Sequence, residues 1–325
     1  MELTKEQIFT LCCLKEVNVK GIGPKKIFSL AAIIKDYNYN VNTLEDLFEI
    51  MQGMKEKVFH KISLTDLNNA YNFAKSVIEK SEKINIKLTG YFDDDYPKLL
   101  RETINEEGKL DPPLYLWYKG DLKIANMESI AIIGTREPTL EGIKGGEFIS
   151  SEFAKRGFNI VSGLAVGCDT CGHKGALKVN GKTTAILGNG LDDNSIYPTE
   201  NKQLAKEIIE KGGLLLSEYS IGSIVNRYSL VARDRLQAGM SLATLVIQTG
   251  ERGGTMHAAN TTLKANKRLY TMLYKDDITN NHEKCLGNAL LVKKGARYIS
   301  GDTNIDVICE EIKKYKNINQ SLFDQ

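Results

Sequence analysis

The first 80 residues carry apolar side chains at the spacing of amphipathic helices. Ile8, Leu11 and Leu14 fall three residues apart, and Ile27 and Leu30 repeat this spacing further along. Side chains three or four residues apart lie on one face of a helix. The pattern therefore predicts a small all-helical domain over residues 1–82.

From about residue 84, short apolar runs alternate with segments long enough to form helices. Continuous apolar strands joined by helices are typical of a parallel sheet that is covered on both faces. We therefore predict an α/β fold, a doubly wound parallel sheet over residues 83–316, followed by a polar tail at 317–325. The predicted strands are 84–88, 114–118, 130–133, 159–161, 183–187, 214–216, 244–247 and 269–273.

Four of the predicted strands are followed by glycines or small polar residues. Ligands of open α/β sheets bind beyond the carboxyl ends of the strands, where glycine lets backbone amides approach an anion at a helix N-terminus. Glycines also serve tight turns, but four such loops at one sheet edge favour a phosphate-binding crevice. The loops are 134–136, 162–169, 188–192 and 250–255.

The glycine spacing excludes the common nucleotide-binding loops. The chain has no G-x-x-x-x-G-K-[ST] segment, and Gly163 and Gly167 do not fit G-x-G-x-x-G. We therefore expect no bound cofactor.

A second group of charged residues is Arg233-Asp234-Arg235. Side chains two residues apart on a helix point to different faces. One arginine is therefore expected to reach phosphate while the other pairs with a carboxylate such as Asp234 or Glu218. A solvated charged surface is the alternative.

The segment containing Cys168, Cys171 and His173 has the residue types of a zinc or redox site. No second C-x-x-C pair completes such a site, so we expect no metal. Asp169 is instead a candidate N-cap of a helix. The histidines are scattered and no nucleophile–base motif is present, so we expect no catalytic residues.

The turn Gly21-Ile22-Gly23-Pro24 lies between two predicted helices and resembles a helix-hairpin-helix element. Its amides, with Lys20, Lys25 and Lys26, suit contact with a nucleic-acid backbone. An ordinary helix–helix turn with surface lysines is the alternative. The candidates for backbone binding here are Gly21, Gly23, Lys25 and Lys26.

Charge and composition narrow the possible functions. The formal net charge is +2, with 43 basic and 41 acidic residues, which argues against nucleic-acid binding by bulk charge but not against a local basic pocket. No signal peptide and no apolar stretch of transmembrane length occur, so we expect a cytoplasmic protein without membrane contact.

Short motifs follow one another in a fixed order over about residues 84–300. They are 95–97 (DYP), 111–116 (DPPLYL), 132–136 (IIGTR), 162–165 (SGLA), 167–169 (GCD), 188–192 (GNGLD), 197–198 (YP), 217–218 (SE), 233–235 (RDR) and 253–255 (GGT). In this series the chain resembles the DNA-processing protein A family, also called DprA or Smf. The helical segment is similar to the small N-terminal domain of many members.

The resemblance implies a Rossmann-like domain that binds single-stranded DNA in a positive pocket, without catalysis. Members load the recombinase RecA onto incoming single strands in natural transformation, and they typically form homodimers. By position, Arg136 would contact phosphate, and the loop at 162–163 would supply amides. Arg233 and Arg235 would line the pocket, and 253–255 would form an amide-rich wall. The full candidate set is Gly134, Thr135, Arg136, Ser162, Gly163, Leu164, Ala165, Gly167, Asp169, His173, Arg233, Arg235, Arg252, Gly253, Gly254 and Thr255.

The chain departs from the family pattern at three places. Val166 stands where many relatives have arginine, Asp234 where they usually have asparagine, and Arg252 where they often have serine. A carboxylate at 234 is expected to weaken DNA binding or to change the ligand. We also expect the C-terminal winged helix of some members to be absent.

The wider superfamily offers an alternative function, a nucleotide-binding sensor or a nucleotide-processing enzyme. Its nucleotide-processing members carry a Gly-Gly-x-Gly-Thr-x-x-Glu loop. Residues 253–258 lack both the third glycine and the glutamate. Phosphoribohydrolase activity is therefore not expected, whereas nucleotide binding without hydrolysis stays open.

Overall fold

The computed structural model describes the backbone of residues 2–323 and the side chains of residues 2–314. Within this part the chain packs into two compact units, Met1–Tyr96 with Pro113–Trp117, and Pro97–Pro112 with Tyr118–Gln325. The predicted boundary at residue 82 falls inside the first unit, where the Tyr96 hydroxyl donates a hydrogen bond to the Pro113 carbonyl at 2.6 Å. The predicted polar tail at 317–325 lies outside the described side chains.

The first unit is built mainly from helices, as the apolar spacing predicts. Ile8, Leu11, Leu14, Ile27 and Leu30 are all fully buried, so the two predicted apolar faces form its core. Its elements are α1 (Lys5–Cys13), α2 (Pro24–Asp36), α3 (Leu44–Gln52), α4 (Leu64–Glu82) and the short strand β1 (Lys87–Gly90), with 3-10 turns at Leu14–Val17 and Phe59–Lys61.

Helix starts in this unit follow from local sequence. Thr4, Thr43 and Ser63 each accept a hydrogen bond from the backbone N–H three residues on, and each forms a capping box. Pro24 stands at the first position of α2, where its missing N–H costs nothing. Gly21, with φ +96°, supplies the left-handed turn before it.

The second unit contains the parallel sheet. The strand β2 (Tyr115–Gly120) runs from the first unit into the second. The following strands are β3 (Ser129–Ile133), β4 (Asn159–Ser162), β5 (Thr183–Leu187), β6 (Leu214–Ser217), β7 (Ala243–Val246), β8 (Arg268–Met272) and β9 (Arg297–Ile299). The helices are α5 (Leu140–Lys155), α6 (Cys168–Lys178), α7 (Lys202–Glu210), α8 (Arg227–Met240), α9 (Gly254–Lys264), α10 (Asp277–Asn280), α11 (Leu286–Lys293) and α12 (Ile305–Phe323).

The order of these strands places a crevice at the sheet centre. They run β6-β5-β4-β3-β7-β8-β9, and every neighbouring pair is parallel. In register, Ile132 of β3 lies opposite Leu245 of β7, and Ala131 lies opposite Val161 of β4. The direction of winding reverses between β3 and β7, and such a switch point is where ligands of doubly wound sheets bind.

The predicted α/β class with a doubly wound parallel sheet is confirmed. Ile130, Ile132, Ile160 and Leu245 are fully buried, because β3, β4 and β7 have helices on both faces. Among the described residues, no helix combines the length and the apolar character needed to cross a membrane.

Candidate functional site

The loops after β3, β4 and β7 meet in one cavity of about 690 Å³ beyond the strand ends. Helices α8 and α9, together with Tyr197 and Val225, supply its remaining walls. The sequence-predicted residues that line it are Gly134, Thr135, Arg136, Ala165, Asp169, Arg233, Arg252, Gly253, Gly254 and Thr255.

Backbone hydrogen bonds join the three loops. The Thr135 N–H donates to the Gln248 carbonyl at 2.7 Å, and the Cys168 N–H donates to the Thr135 carbonyl at 3.1 Å. Gly167 (φ +83°) lies so near the Arg136 carbonyl that a Cβ would be 2.5 Å from that oxygen. These contacts hold the backbone of Arg136 in place, while its side chain is exposed at the cavity.

Arg233 projects from α8 into the same region and is only 5% exposed. It lies directly against Gly163, where any Cβ would overlap its Nη1. Its Nη1 is 3.9 Å from Asp169 Oδ2, and its Nε is 3.3 Å from Asp234 Oδ1. Neither Nε nor Nη1 has a hydrogen-bond partner among the described residues. The buried guanidinium is thus paired in charge, while two of its nitrogens are enclosed without a hydrogen-bond partner among the described residues.

The Asp169 carboxylate accepts backbone amides of the loop after β4 and does not cap α6. Its Oδ2 accepts the N–H groups of Gly163 at 3.1 Å and Ala165 at 3.3 Å. The N-cap of α6 is Gly167, so the prediction that Asp169 caps this helix is wrong. Two amides that the sequence assigned to a ligand are therefore already bound to this carboxylate.

Burial changes the proton affinities around Arg233. It raises the pKa of the Asp234 carboxyl to about 6, with the Arg233 charge opposing the rise, and it also raises the pKa of Asp169. Burial, helped by the Arg233 charge, lowers the pKa of His173 to about 3. The imidazole is therefore neutral at physiological pH.

Arg235 faces away from the cavity, contrary to the expectation that it lines the pocket. Its guanidinium donates two hydrogen bonds to Glu218, at 2.7 and 2.8 Å, and its Nε lies 2.7 Å from Asp111 Oδ2. The prediction that one arginine of the motif pairs with a carboxylate such as Glu218 is confirmed. The alternative of a solvated charged surface is wrong, because both arginines are largely buried.

The loop before α9 forms the opposite wall. Gly253 is the N-cap of α9 with φ +129°, a conformation that favours glycine, and no side chain caps this helix among the described residues. Arg252 and Gly254 are exposed beside it. The predicted wall of amides is thus the start of an eleven-residue helix, whose dipole favours anions.

Other predicted residues do not line this cavity. The Ser162 hydroxyl donates to the Ile132 carbonyl at 2.6 Å, and Leu164 is fully buried. His173 is also fully buried, with Nδ1 2.7 Å from the Thr183 hydroxyl. Gly167 packs against the backbone carbonyl of Arg136. Gly163 lines an adjoining cavity of about 550 Å³ that shares Arg136, Ala165 and Arg233 with the first.

The glycine-rich residues 188–192 after β5 do not line the cavity, although Tyr197 further along the same connection does. A Cβ at Gly188 would be 2.8 Å from the Ser229 carbonyl, so the start of α8 packs directly on this strand end. Its glycine serves packing, and three of the four predicted loops remain at the cavity.

Sequence reasoning missed several lining residues. Asn226, Arg227 and Gln237 of α8 and its N-cap line the main cavity, and Tyr197 lines both cavities. The signal was present in part, since the capping box Asn226-x-x-Ser229 marks the start of α8. Arg227 follows this cap directly, and Asp234 lies seven residues on, which places both on one helix face.

The remaining candidates lie in the first unit or the core. The Lys26 ammonium is 3.6 Å from Glu56 Oε1, while Lys25 is exposed, and Gly21 and Gly23 precede α2. Cys168 is fully buried, and no metal-binding group of three or more His, Cys, Asp or Glu residues occurs among the described residues.

Most of the chain is similar to proteins of one known family. The family model for DNA recombination-mediator protein A matches residues 87–313. Protein Smf of Synechocystis is 33% identical over 298 residues, which cover 88% of this chain and 69% of the relative. Protein Smf of Escherichia coli is 31% identical over 215 residues, 65% of this chain and 55% of the relative. The chain thus spans little more than half the length of the second protein.

Two solved structures share the fold. DprA from Streptococcus pneumoniae superposes with a TM-score of 0.72 at 25% identity, covering 95% of this chain and 99% of the other. DprA from Helicobacter pylori, whose structure addresses its single-stranded DNA binding mode, superposes with a TM-score of 0.57 at 29% identity. The superposition covers 70% of this chain and 96% of the other. The chain belongs to the DNA recombination-mediator protein A family, which includes the DprA and Smf proteins.

Proposed function

We propose that this protein binds single-stranded DNA in the cavity at the ends of β3, β4 and β7. The observation that carries the proposal is the lining of this cavity, where the exposed Arg136 and the buried guanidinium of Arg233 lie near the start of α9, which no side chain among the described residues caps. Phosphate oxygens are the acceptors that such a group suits best. The single-stranded DNA binding of the Helicobacter pylori relative supports the same ligand.

The charge of the cavity supports a small number of phosphate contacts. Four arginines and three carboxylates line it in the described part of the chain. The balance is only slightly basic, in keeping with the net charge of +2. Affinity then depends on placed donors at a few phosphates, and non-specific binding elsewhere on the surface is weak. The lining residues with formal charge are Arg136, Arg227, Arg233, Arg252, Glu137, Asp169 and Asp234.

A single strand suits this site better than a duplex. The cavity is a concave space between loops, and Tyr197 stands on the boundary of both cavities, 39% exposed. Aromatic rings in such positions stack unpaired bases, which a duplex does not offer.

The proposal is tested by measuring oligo(dT) binding of the wild type and of Arg136→Ala at two salt concentrations. We expect Arg136→Ala to lose most of the affinity, because its exposed side chain lines the cavity and the joined loops hold its backbone. Arg297→Ala is the matched control, since Arg297 is exposed on β9 and does not line the cavity. Equal affinity of Arg136→Ala and wild type, or no binding by the wild type, would contradict the proposal.

We also propose that the bound strand is passed to a RecA-type recombinase, by a cytoplasmic homodimer acting on incoming DNA in natural transformation. Family membership supports this role, which goes beyond the cavity itself. Recombinase ATPase activity on DNA already coated with a single-strand-binding protein should rise when this protein is added. Sedimentation of the free protein tests the dimer.

We propose binding without catalysis at this site. The buried carboxylates of Asp169 and Asp234 both face Arg233, an arrangement that suits a binding site. A small nucleotide is the second candidate ligand, because a volume of about 690 Å³ matches the usual size of small-molecule pockets. Incubation with nucleoside monophosphates, followed by product analysis and a thermal-shift measurement, separates turnover from binding.

A further inference from the structure

Asp234 lies where α8 and the start of α9, two walls of the cavity, come close together. Its Oδ1 lies 3.3 Å from Arg233 Nε. Its Oδ2 lies 3.7 Å from the point where a Cβ on Gly254 would stand, at the first residue of α9. The carboxylate therefore lies between the buried guanidinium and the N-terminus of a helix.

These two partners are also the features that would attract a ligand phosphate. Arg233 keeps donors without hydrogen-bond partners among the described residues, and no side chain there caps α9. A helix N-terminus and a guanidinium each stabilise a nearby anion. An ionised Asp234 already supplies that negative charge from within the protein.

We propose that Asp234 competes with the ligand for Arg233 and the start of α9, and so sets the affinity and the pH range of phosphate binding in this cavity. The inference rests on the proposed function of the same cavity. When Asp234 is protonated or replaced by asparagine, the guanidinium and the helix start become available to a phosphate, and binding strengthens.

The surroundings of Asp234 place its titration in an accessible pH range. Burial is the largest effect and raises its pKa to about 6. Arg233 on the same helix and His257 of α9 oppose the rise, whereas Asp169 of α6 and Glu106 of the segment before β2 add to it. Glu107, Asp111, Glu218 and Arg235 line a cavity that Asp234 also reaches, and Arg136, Glu137, Arg227 and Arg252 line the main cavity with it.

The sign of the effect follows from this pKa. As the pH falls through 6, the folded protein takes up a proton at Asp234 and loses the competing charge. Affinity for a phosphodiester is therefore expected to rise as the pH falls. His257 Nδ1 lies 2.8 Å from Glu106 Oε1, and both residues are near Asp234, so the experiment must separate Asp234 from this pair.

The experiment measures fluorescence anisotropy of a 5′-hydroxyl oligo(dT) with the full chain from pH 5 to pH 8. Its phosphodiesters and thymines do not titrate in this range. At pH 7.5, Asp234→Asn is expected to bind up to ~30-fold tighter than wild type, since this pH lies about 1.5 units above the Asp234 pKa. At pH 5 the two proteins should agree within about twofold. Only the wild type should show the rise in affinity near pH 6.

Glu251→Gln is the matched control. It removes one negative charge from an exposed position in the loop before α9, outside the lining of the cavity. Its affinity should stay within about twofold of the wild type at every pH, because exposed charges are screened by salt. Equal gains in Glu251→Gln and Asp234→Asn would assign the effect to net charge and overturn the inference.

Two outcomes separate this inference from the proposed function. If wild type and Asp234→Asn bind DNA with the same affinity and the same pH profile, the inference fails while DNA binding stands. If neither binds DNA at any pH, the proposed function fails. The inference is then tested by the change in Tm that sulfate causes. Sulfate should then raise the Tm of Asp234→Asn more than that of the wild type at pH 7.5, and equal shifts would overturn it.

Discussion

Replacing Arg233 or Arg235 of the Arg233-Asp234-Arg235 motif by methionine is expected to change DNA affinity very differently. Arg235 is held by two hydrogen bonds to Glu218 and an ion pair with Asp111, in a side chain that is 12% exposed. Methionine keeps much of the aliphatic length but removes every donor. The variant Arg235→Met therefore leaves two carboxylates without their cation.

The magnitude follows from the exposure of those carboxylates. Breaking a fully buried ion pair costs about 3–5 kcal/mol. Glu218 and Asp111 are 22% and 39% exposed, so water recovers part of that loss, and about 2 kcal/mol is expected. For a unit of this size, that free energy lowers the Tm by about 4–8 °C.

The assay pairs thermal unfolding with oligo(dT) affinity at 25 °C. Arg235→Met should melt earlier and still bind DNA within about threefold of the wild type, because the side chain faces away from the cavity. Arg233→Met should also melt earlier, since Asp169 and Asp234 lose their cation, but it should in addition lose DNA binding by more than tenfold, because it removes a guanidinium charge that lines the cavity. A folded Arg235→Met protein that loses DNA binding as strongly as Arg233→Met would refute this reasoning.

Other substitutions and conditions have equally definite outcomes. Gly163→Ala should abolish most oligo(dT) binding in a gel shift, because the new Cβ overlaps Arg233 Nη1 and displaces it. Asn226→Ala removes the cap that accepts the Ser229 N–H at 2.9 Å, and should cost about 1 kcal/mol of unfolding free energy in urea denaturation. The pKa of His173 is lowered to about 3, so the unfolded chain gains a proton below pH 6.5 that the folded protein does not. The stability advantage of wild type over His173→Gln should therefore shrink between pH 7 and pH 4, by about 1.4 kcal/mol per unit below 6.5. A constant difference across this range would exclude His173 as the titrating group.

Much of the fold follows from the spacing of apolar residues. Thr183–Leu187 is predicted and observed with identical ends, because its apolar run is bounded by polar residues and glycines. The strand β9 was missed, since Arg297 and Tyr298 are exposed at the edge and only Ile299 is buried. An edge strand carries a weaker apolar signal than a strand that is covered on both faces.

The sequence predicts the location of the candidate site, but it predicts the roles of the side chains there only in part. Glycines after strands marked the loops that meet at the cavity, because the carboxyl ends of parallel strands lie at one edge. The orientation of Arg235 depends on Glu218, seventeen residues away in the chain, and the use of Asp169 as a loop acceptor depends on how the loop after β4 turns back onto it. Local spacing does not encode those partners.

The most direct test of the account is a crystal structure of the protein bound to a short oligo(dT). We predict backbone phosphates within hydrogen-bond distance of Arg136 and Arg233, with the Asp234 carboxylate displaced from Arg233 or protonated beside the phosphate. DNA bound at another surface, with the cavity between β3, β4 and β7 free of phosphate, would contradict the central claim.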